Sequence, residues 1–507
     1  MSKLYQDVLI QGALTSERRL SLSEVNMAKK SIKKNYILNA GYQVLLLITP
    51  LITAPYISRV LGADSIGQYS YANSIVSYFT LFATLGITTY GRREISYIQD
   101  KRYERSMVFW ETKLLQIYTS GVASIIFIIF ALSQTEKLFY LLFVFNILAV
   151  AVDVTWFFQG MEEFGKIVLR NSIFKFINIV YIFCMVKEKD DLILYVFGIT
   201  FFTFLSNCSL WIALAKYVDK PKWSHLRPFR DIRTVLSLFI PTIAIEIYTV
   251  LDKTMIGVIT QNSSENGYYE MAIGISRMSL SIVTALGTVM TPRIGYHFQK
   301  NDTETLQLLM YRGYRFVWFL GTPLCLGLIG ISYNFVPWFF GTGYNKVSPL
   351  LCILSFLIFS IGINNMTGVQ YLIPTKRQNL FTVTVIIGAG VNFIMNMFLI
   401  NWLQSVGAAV ASVAAETVIA LVQLYFIKKE LSIKKVFLCG THYWIAGIAM
   451  LIVLLMENQY ISPSIFHTGI MIGSGSIIYF IALCIMRDEF FLSNIRSVLR
   501  WMKSKMN

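Results

Sequence analysis

From Tyr36 to Met486 the chain repeats one pattern about 14 times: a long apolar stretch, then a short polar connection. Each stretch is roughly 20 residues, which as a helix crosses the hydrocarbon core of a bilayer. Inside hydrocarbon every backbone N–H and C=O must be paired within the protein, so spans are helices or closed barrels. These runs are continuous and lack the roughly ten-residue alternation of barrel strands. The pattern therefore predicts an all-α integral membrane protein. The first six spans are expected at 37–59, 68–90, 112–133, 138–159, 167–186 and 192–215. The next six are expected at 234–259, 268–290, 314–336, 348–372, 379–400 and 404–427, and the last two at 437–456 and 465–486.

The polar connections set the orientation. Cytoplasmic loops carry the excess of Lys and Arg. With the N-terminus inside, cytoplasmic segments hold about 35 basic residues and outer loops about five. The inner set includes Arg92, Arg93, Lys101, Arg102 and Arg105, then 216–233 and 428–435; the outer set includes Arg59, Lys137, Lys187, Lys189 and Lys346. Both termini are thus expected inside. The outer loops are all short, which leaves no room for a large external catalytic domain.

An internal repeat recurs at an offset of 200 residues. Gly67-Gln-Tyr69-Ser-Tyr71-Ala72 aligns with Gly267-Tyr-Tyr269-Glu-Met271-Ala272, and Gly91-Arg92-Arg93 falls opposite Thr291-Pro292-Arg293. Six spans per unit make the repeats parallel, a known transporter plan with the substrate path between the halves. The expected organisation is a polar and basic tail over 1–35, a six-helix lobe over 36–217 and a cytoplasmic linker over 218–233. A second six-helix lobe over 234–427, two additional helices over 428–486 and a basic amphipathic tail over 487–507 complete it. That tail is expected either on the membrane surface or frayed. Met27 opens MAKKSIKK, a second basic start ahead of the first span, and no cleavable signal is evident in the polar first 35 residues.

Composition narrows the function. Hydrophobic residues make up 55% and charged residues 14%, against about 25% charged in soluble domains. The net charge of +16 follows the loops and does not indicate nucleic acid. Cys184, Cys208, Cys325, Cys352, Cys439 and Cys484 are scattered singly, and the four histidines show no metal spacing, so no metal or cofactor is expected.

The chemistry is expected where ionisable groups enter spans, because each costs on the order of 2.5–3.5 kcal/mol at the bilayer centre unless it faces a cavity or a partner. The cations are Lys175, Lys253 and Arg277, with Arg59 near the outer end of the first span; the carboxylates are Asp153, Glu246, Asp252 and Glu416. Helical spacing groups Thr242, Glu246, Thr249 and Lys253 in one stripe, with Asp252 beside it, and Asn171, Lys175 and Asn178 in another. Asn39 and Gln43 lie four apart in span 1, where Pro50 and Pro55 are expected to interrupt the helix; Asn392 and Asn396 lie four apart in span 11. Span 10 adds Asn364, Asn365, Thr367 and Gln370. Such groups either line a hydrated cavity or tie helices together. A cationic cavity suits an anionic cargo, since Lys and Arg bind phosphate. The carboxylates read either as coupling sites for H⁺ or Na⁺ or as counter-charges.

Several strings carry a family resemblance: KKNYILNAGYQ (Lys33–Gln43), PYISRVLGADSIGQYSYA (Pro55–Ala72), LGITTYGRREIS (Leu85–Ser96), DVTWFFQGMEEF (Asp153–Phe164), LDKTMIG (Leu251–Gly257) and GYYEMA (Gly267–Ala272). In their order and spacing the chain resembles the Wzx-type O-antigen and capsule repeat-unit flippases. These form the polysaccharide-transport branch of the multidrug/oligosaccharidyl-lipid/polysaccharide exporter superfamily. The resemblance implies two six-helix lobes working by alternating access in the bacterial cytoplasmic membrane. The implied cargo is an undecaprenyl-pyrophosphate-linked oligosaccharide, moved from the inner to the outer leaflet for surface polysaccharide synthesis. A polymerase and a chain-length regulator are the implied pathway partners. Cavity cations of the family would fall on Arg59, Lys175, Lys253 and Arg277 by position in the spans. A cation-coupled multidrug or small-molecule exporter and a lipid II flippase are the alternatives within the superfamily. A membrane enzyme is disfavoured: no nucleophile–base constellation and no DxD-type metal site stand in the loops.

Overall fold

The computed structural model describes residues 22–221, 223–285, 287–494 and 496, with side chains except at 22–40, 42–44, 240–242, 244–245, 247–248 and 288–289. The described chain is helical throughout. Eleven of its stretches are long and apolar enough to cross a membrane.

The first helix, α1 (Leu22–Thr84), is one rod broken at Gly62, where φ is +75°. The eight-residue loop expected between spans 1 and 2 is therefore a single-residue break. Glycine takes that backbone conformation without the steric cost a Cβ would bring. Pro50 and Pro55 do not interrupt the helix as expected: it runs through both. The hydroxyls of Thr49 and Thr53 bond back to the carbonyls of Leu45 and Thr49, and proline is tolerated in membrane helices. The Leu45–Tyr97 stretch thus covers two of the expected spans.

The end of the second span and four further spans follow in the first half. α2 (Ile87–Tyr97) and α3 (Arg102–Ser133) come first, then a fourth span split into α4 (Lys137–Leu142), α5 (Val144–Val152) and α6 (Thr155–Gly160). α7 (Phe164–Met185) and α8 (Leu192–Leu214) close it. α2 packs on α6 because Gly91 leaves the space that the ring of buried Trp156 fills; a Cβ there would stand 2.4 Å from it. The second half holds α9 (Ile232–Thr260), α10 (Ser263–Thr284), α11 (Gly287–Gln299) and α12 (Thr303–Phe340). It continues with α13 (Val347–Leu354), α14 (Leu357–Asn364), a π-helical segment Asn365–Leu372, α15 (Gln378–Leu403) and α16 (Ser405–Ile427). α9 and α10 stand where the seventh and eighth spans are expected and are not among the eleven apolar stretches. The chain ends with α17 (Ile433–Leu438), α18 (Thr441–Tyr460) and α19 (Ile465–Ile485), which pack on α12.

Helices of each half touch chiefly one another, and the halves meet where α1 crosses α9, α10 and α12. At this seam the 200-residue repeat becomes a reciprocal contact. A Cβ on Gly67 would lie 1.6 Å from the Ser263 carbonyl oxygen, and one on Gly267 would lie 2.0 Å from that of Ala63. Ser70 donates to Glu270 at 2.6 Å, again 200 residues apart. Two backbones this close exclude any side chain at either glycine.

Replacing Gly67 or Gly267 by Ala forces the two helices apart. Each should lower stability by about 1–3 kcal/mol, the usual cost of overpacking. Gly121→Ala, where nothing lies within 4 Å of the added atom, should leave it unchanged or higher. Apparent melting temperatures of the detergent-purified variants check this.

Candidate functional site

Charges inside the bundle fall into separate groups. Lys175 lies on α7 and lines a cavity of about 400 Å³ with Asn171 and Asn178 from its own face. The remaining walls come from α1 (Thr49, Thr53, Tyr69) and α8 (Tyr195, Thr203, Asn207). Among the described residues its ammonium has no hydrogen-bond or carboxylate partner. The carbonyl oxygen of the Asn178 side chain is buried there and also unpartnered. Tyr69 and Tyr195 meet edge to face at 5.3 Å and form one wall.

A second cavity, about 280 Å³, shares Thr203 and Asn207 with the first. Hydroxyls and amides dominate it: Asn73, Ser77, Thr80, Thr84, Thr88, Gln116 and Asn146 surround Asp153. The Asp153 carboxylate is engaged by the Thr155 backbone N–H at 2.9 Å and by the Thr155 hydroxyl at 2.5 Å. It caps the start of α6, where the fourth span is broken. Two neighbouring cations that sequence reasoning did not select stabilise this break. Lys113 is fully buried and donates to the Asp153 backbone carbonyl at 2.8 Å. Arg170 donates to the Thr155 hydroxyl at 3.4 Å and to the Asn207 side chain at 3.0 Å. Their only sequence signal was a charge inside an apolar run.

Lys253 lies at the seam, but not as a free cation. Its ammonium is 2.5 Å from Glu270 of α10, which also accepts from Ser70 of α1. Glu270 was missed by the sequence reading, although it stands in the repeat at the position opposite Ser70. Arg277, two turns further along α10, is exposed, has no partner among the described residues and adds positive potential at Glu270. Desolvating an unpaired ammonium is costly, so the carboxylate beside Lys253 is the expected solution.

Asp252, one residue earlier, points into the second half. It is buried and held by neutral donors: Asn392 at 2.9 Å and Asn396 at 2.8 Å from α15, Tyr269 at 2.7 Å from α10, and the Ser412 hydroxyl from α16. No ammonium or guanidinium lies within ion-pair distance among the described residues. The Asn396 side-chain oxygen is buried without a partner beside it. Four neutral donors thus satisfy one buried carboxylate that has no counter-cation among the described residues.

The other predicted residues stand apart. Arg59 is exposed and donates to the carbonyls of Pro55 and Trp338, so it fastens α1 to the end of α12. It lines a separate cavity of about 810 Å³ with Lys189, Tyr268 and Tyr344, at the end of the bundle where Gly62 breaks α1. Glu416 accepts from Asn364 at 2.9 Å next to the π-helical segment. Glu246 is exposed. The side chains of Asn39 and Gln43 lie outside the described residues.

Known proteins are similar to this chain in sequence and fold. A family model described as polysaccharide biosynthesis protein matches residues 32–297, more than half of the chain. A protein named as a candidate O-antigen transporter in Escherichia coli (strain K12) is 23% identical over 429 residues, covering 80% of this chain and 99% of that one. Among solved structures, lipid II flippase MurJ in an inward closed conformation superposes with a TM-score of 0.70 at 17% identity, over 90% of this chain and 99% of that one. An inward-facing multidrug resistance MATE transporter of the MOP superfamily gives 0.58 at 13% identity, over 82% and 98%. At such identities the structural likeness establishes the fold. The family match and the eleven apolar stretches make this a multi-pass protein of the bacterial cytoplasmic membrane.

The seam pair yields a stability test. Glu270→Ala strands a largely desolvated ammonium and should cost about 3 kcal/mol, the lower end for a broken buried pair, because both partners keep some solvent contact. Combining it with Lys253→Met should recover most of the loss, since no charge is then left unpaired. Chemical or thermal unfolding of the three proteins distinguishes this from general damage at the seam.

Proposed function

The chain belongs to the polysaccharide biosynthesis protein family, and on that premise we propose that it is a flippase for undecaprenyl-pyrophosphate-linked oligosaccharide repeat units. It carries them from the inner to the outer leaflet by alternating access between two six-helix halves, residues 36–217 and 234–427. The orientation is N-in and C-in with fourteen spans, the pair within Leu45–Tyr97 counting as two and α9 and α10 as two more.

The observation that carries this reading is the unpartnered Lys175 ammonium in a cavity lined by amides, hydroxyls and tyrosines and continuous in its lining with a second hydroxyl-rich cavity. A cation left without a counter-charge among apolar helices is stabilised when an anionic group arrives. Pyrophosphate supplies that charge, and sugar hydroxyls match the Asn, Ser and Thr walls. Lys175 and Arg277 bind the anionic group. Lys253 joins them when the seam opens and its bond to Glu270 is exchanged for cargo. The polyprenyl tail stays in lipid. Arg59 serves the closed state by holding α1 to α12.

Asp252 is the coupling site of this scheme. Its carboxylate carries no counter-cation among the described residues, so one bound H⁺ or Na⁺ would balance the buried charge. A lipid II flippase or a multidrug exporter would share the fold and the coupling carboxylate; the Lys175 cavity favours an anionic, sugar-bearing cargo. The flipped units then pass to a polymerase and its chain-length regulator.

The test is genetic and chemical. Cells lacking the protein should lose surface polymer and accumulate single repeat units on the inner leaflet. Lys175→Ala should behave like the deletion while still reaching the membrane, and Lys175→Arg should keep part of the activity. Asp252→Asn should abolish transport driven by an ion gradient. Normal polymer in Lys175→Ala cells would refute the cargo assignment; lost drug tolerance with intact polymer would replace it by the exporter.

A further inference from the structure

The face built by the last two helices holds a feature that transport does not use. Between α12, α17 and the segment after α19 lies a cavity of about 630 Å³ whose charged walls are Arg312, Arg315, Lys435 and Glu489. Arg315 is already engaged: it donates to Asp488 at 2.7 Å and to the Tyr443 hydroxyl at 2.9 Å. Arg312 and Lys435 have no carboxylate partner among the described residues. Setting Asp488 and Glu489 against the three cations leaves the cavity one net positive charge. Leu308 and Leu438, half exposed at 50% and 53%, form an apolar rim beside this cationic floor.

A group that satisfies both features carries one negative charge next to hydrocarbon. Free phosphate matches the charge but leaves the leucines against water. A zwitterionic lipid brings its own cation toward Arg312. The segments that build the cavity, residues 428–435 and those after Met486, belong to the basic side that the charge pattern assigns to the cytoplasm. Basic pockets between helices on that side are suited to anionic headgroups. We propose that this cavity binds the phosphodiester of an anionic phospholipid of the inner leaflet. Arg312 and Lys435 hold the phosphate, and Leu308 and Leu438 lie along the acyl chains. The bound lipid fastens α17 and the chain after α19 to the membrane surface.

The full-length protein in detergent, supplied with phosphatidylglycerol or phosphatidylcholine at equal mole fraction, tests this by native mass spectrometry of retained lipid. One phosphatidylglycerol should be retained in preference to phosphatidylcholine. Arg312→Gln with Lys435→Gln should weaken it about 25-fold, two juxtamembrane cations' worth. Arg312→Lys should keep it, and Glu489→Gln should strengthen it. Lys428→Gln with Lys429→Gln, equal in charge change but outside the cavity, should have no effect. Melting temperatures and the transport assay monitor folding and function separately. Equal retention by the double Gln variant overturns the site. Equal retention of phosphatidylcholine overturns the ligand class, and full displacement by inorganic phosphate overturns the lipid source.

Discussion

No charge can rest inside an apolar bundle without a partner, a set of hydrogen-bond donors or access to water, and this requirement arranges the interior. Each intramembrane ion here has found a different solution. Lys253 takes a carboxylate, Glu270. Asp252 takes four neutral donors. Lys113 takes backbone and amide oxygens where the fourth span breaks. Lys175 takes none of these among the described residues and faces a cavity instead. The free energy of leaving an ammonium unpaired is only tolerable where water or a ligand reaches it. That is why the proposed cargo site is centred on Lys175 and not on the more conspicuous Lys253.

The seam depends on the same economy of contacts. Glycines 67 and 267 let two helices approach until backbone touches backbone, and the reciprocal pairing of each with the residue four before the other makes the contact two-fold in character. Around it Ser58 donates to the Phe340 carbonyl, Tyr344 donates to that of Ser58, and Arg59 reaches Trp338. All of these bonds span the halves at one end of the bundle and are made between groups that water could satisfy equally well. Their net worth is small, so the end they close can open without large loss. A packed interface with few strong bonds is the kind of element that holds two discrete arrangements.

Much of this was legible in the sequence because hydrocarbon imposes a length and a polarity on every span. The apolar runs correspond to the helices, and the 200-residue echo at Gly67 and Gly267 turned out to be the point where the two stretches touch. Stripes at helical spacing correctly joined Asn171, Lys175 and Asn178. What sequence could not show was pairing across elements. Glu270 lies on a different helix from Lys253, so spacing along either one is silent about their contact. Arg59 lines a cavity apart from the one around Lys175, and its partners are backbone carbonyls, which leave no sequence signature. The loop expected near residue 62 vanished because one glycine with positive φ does the work of several residues. The prolines at 50 and 55 leave α1 continuous, since proline is tolerated in membrane helices.

One geometric fact ties the parts together. Asp252 and Lys253 are consecutive on α9, and their partners Tyr269 and Glu270 are consecutive on α10. The first pair faces the donors of α15 and α16, while the second reaches Ser70 of α1 across the seam. Adjacent peptide units on a helix cannot rotate independently, since each is fixed by the same ladder of backbone hydrogen bonds. A motion that turns α9 against α10 at Asp252 therefore also displaces Lys253 from Glu270. On the proposed reading, ion binding in one half and closure of the seam are separated by one residue rather than by the width of the bundle. The cavity around Lys175 is walled in part by α1, the helix to which that seam is anchored. On the proposed reading, one pair of helices thus conveys the state of the coupling carboxylate to the gate, and α1 conveys the state of the gate to the cargo.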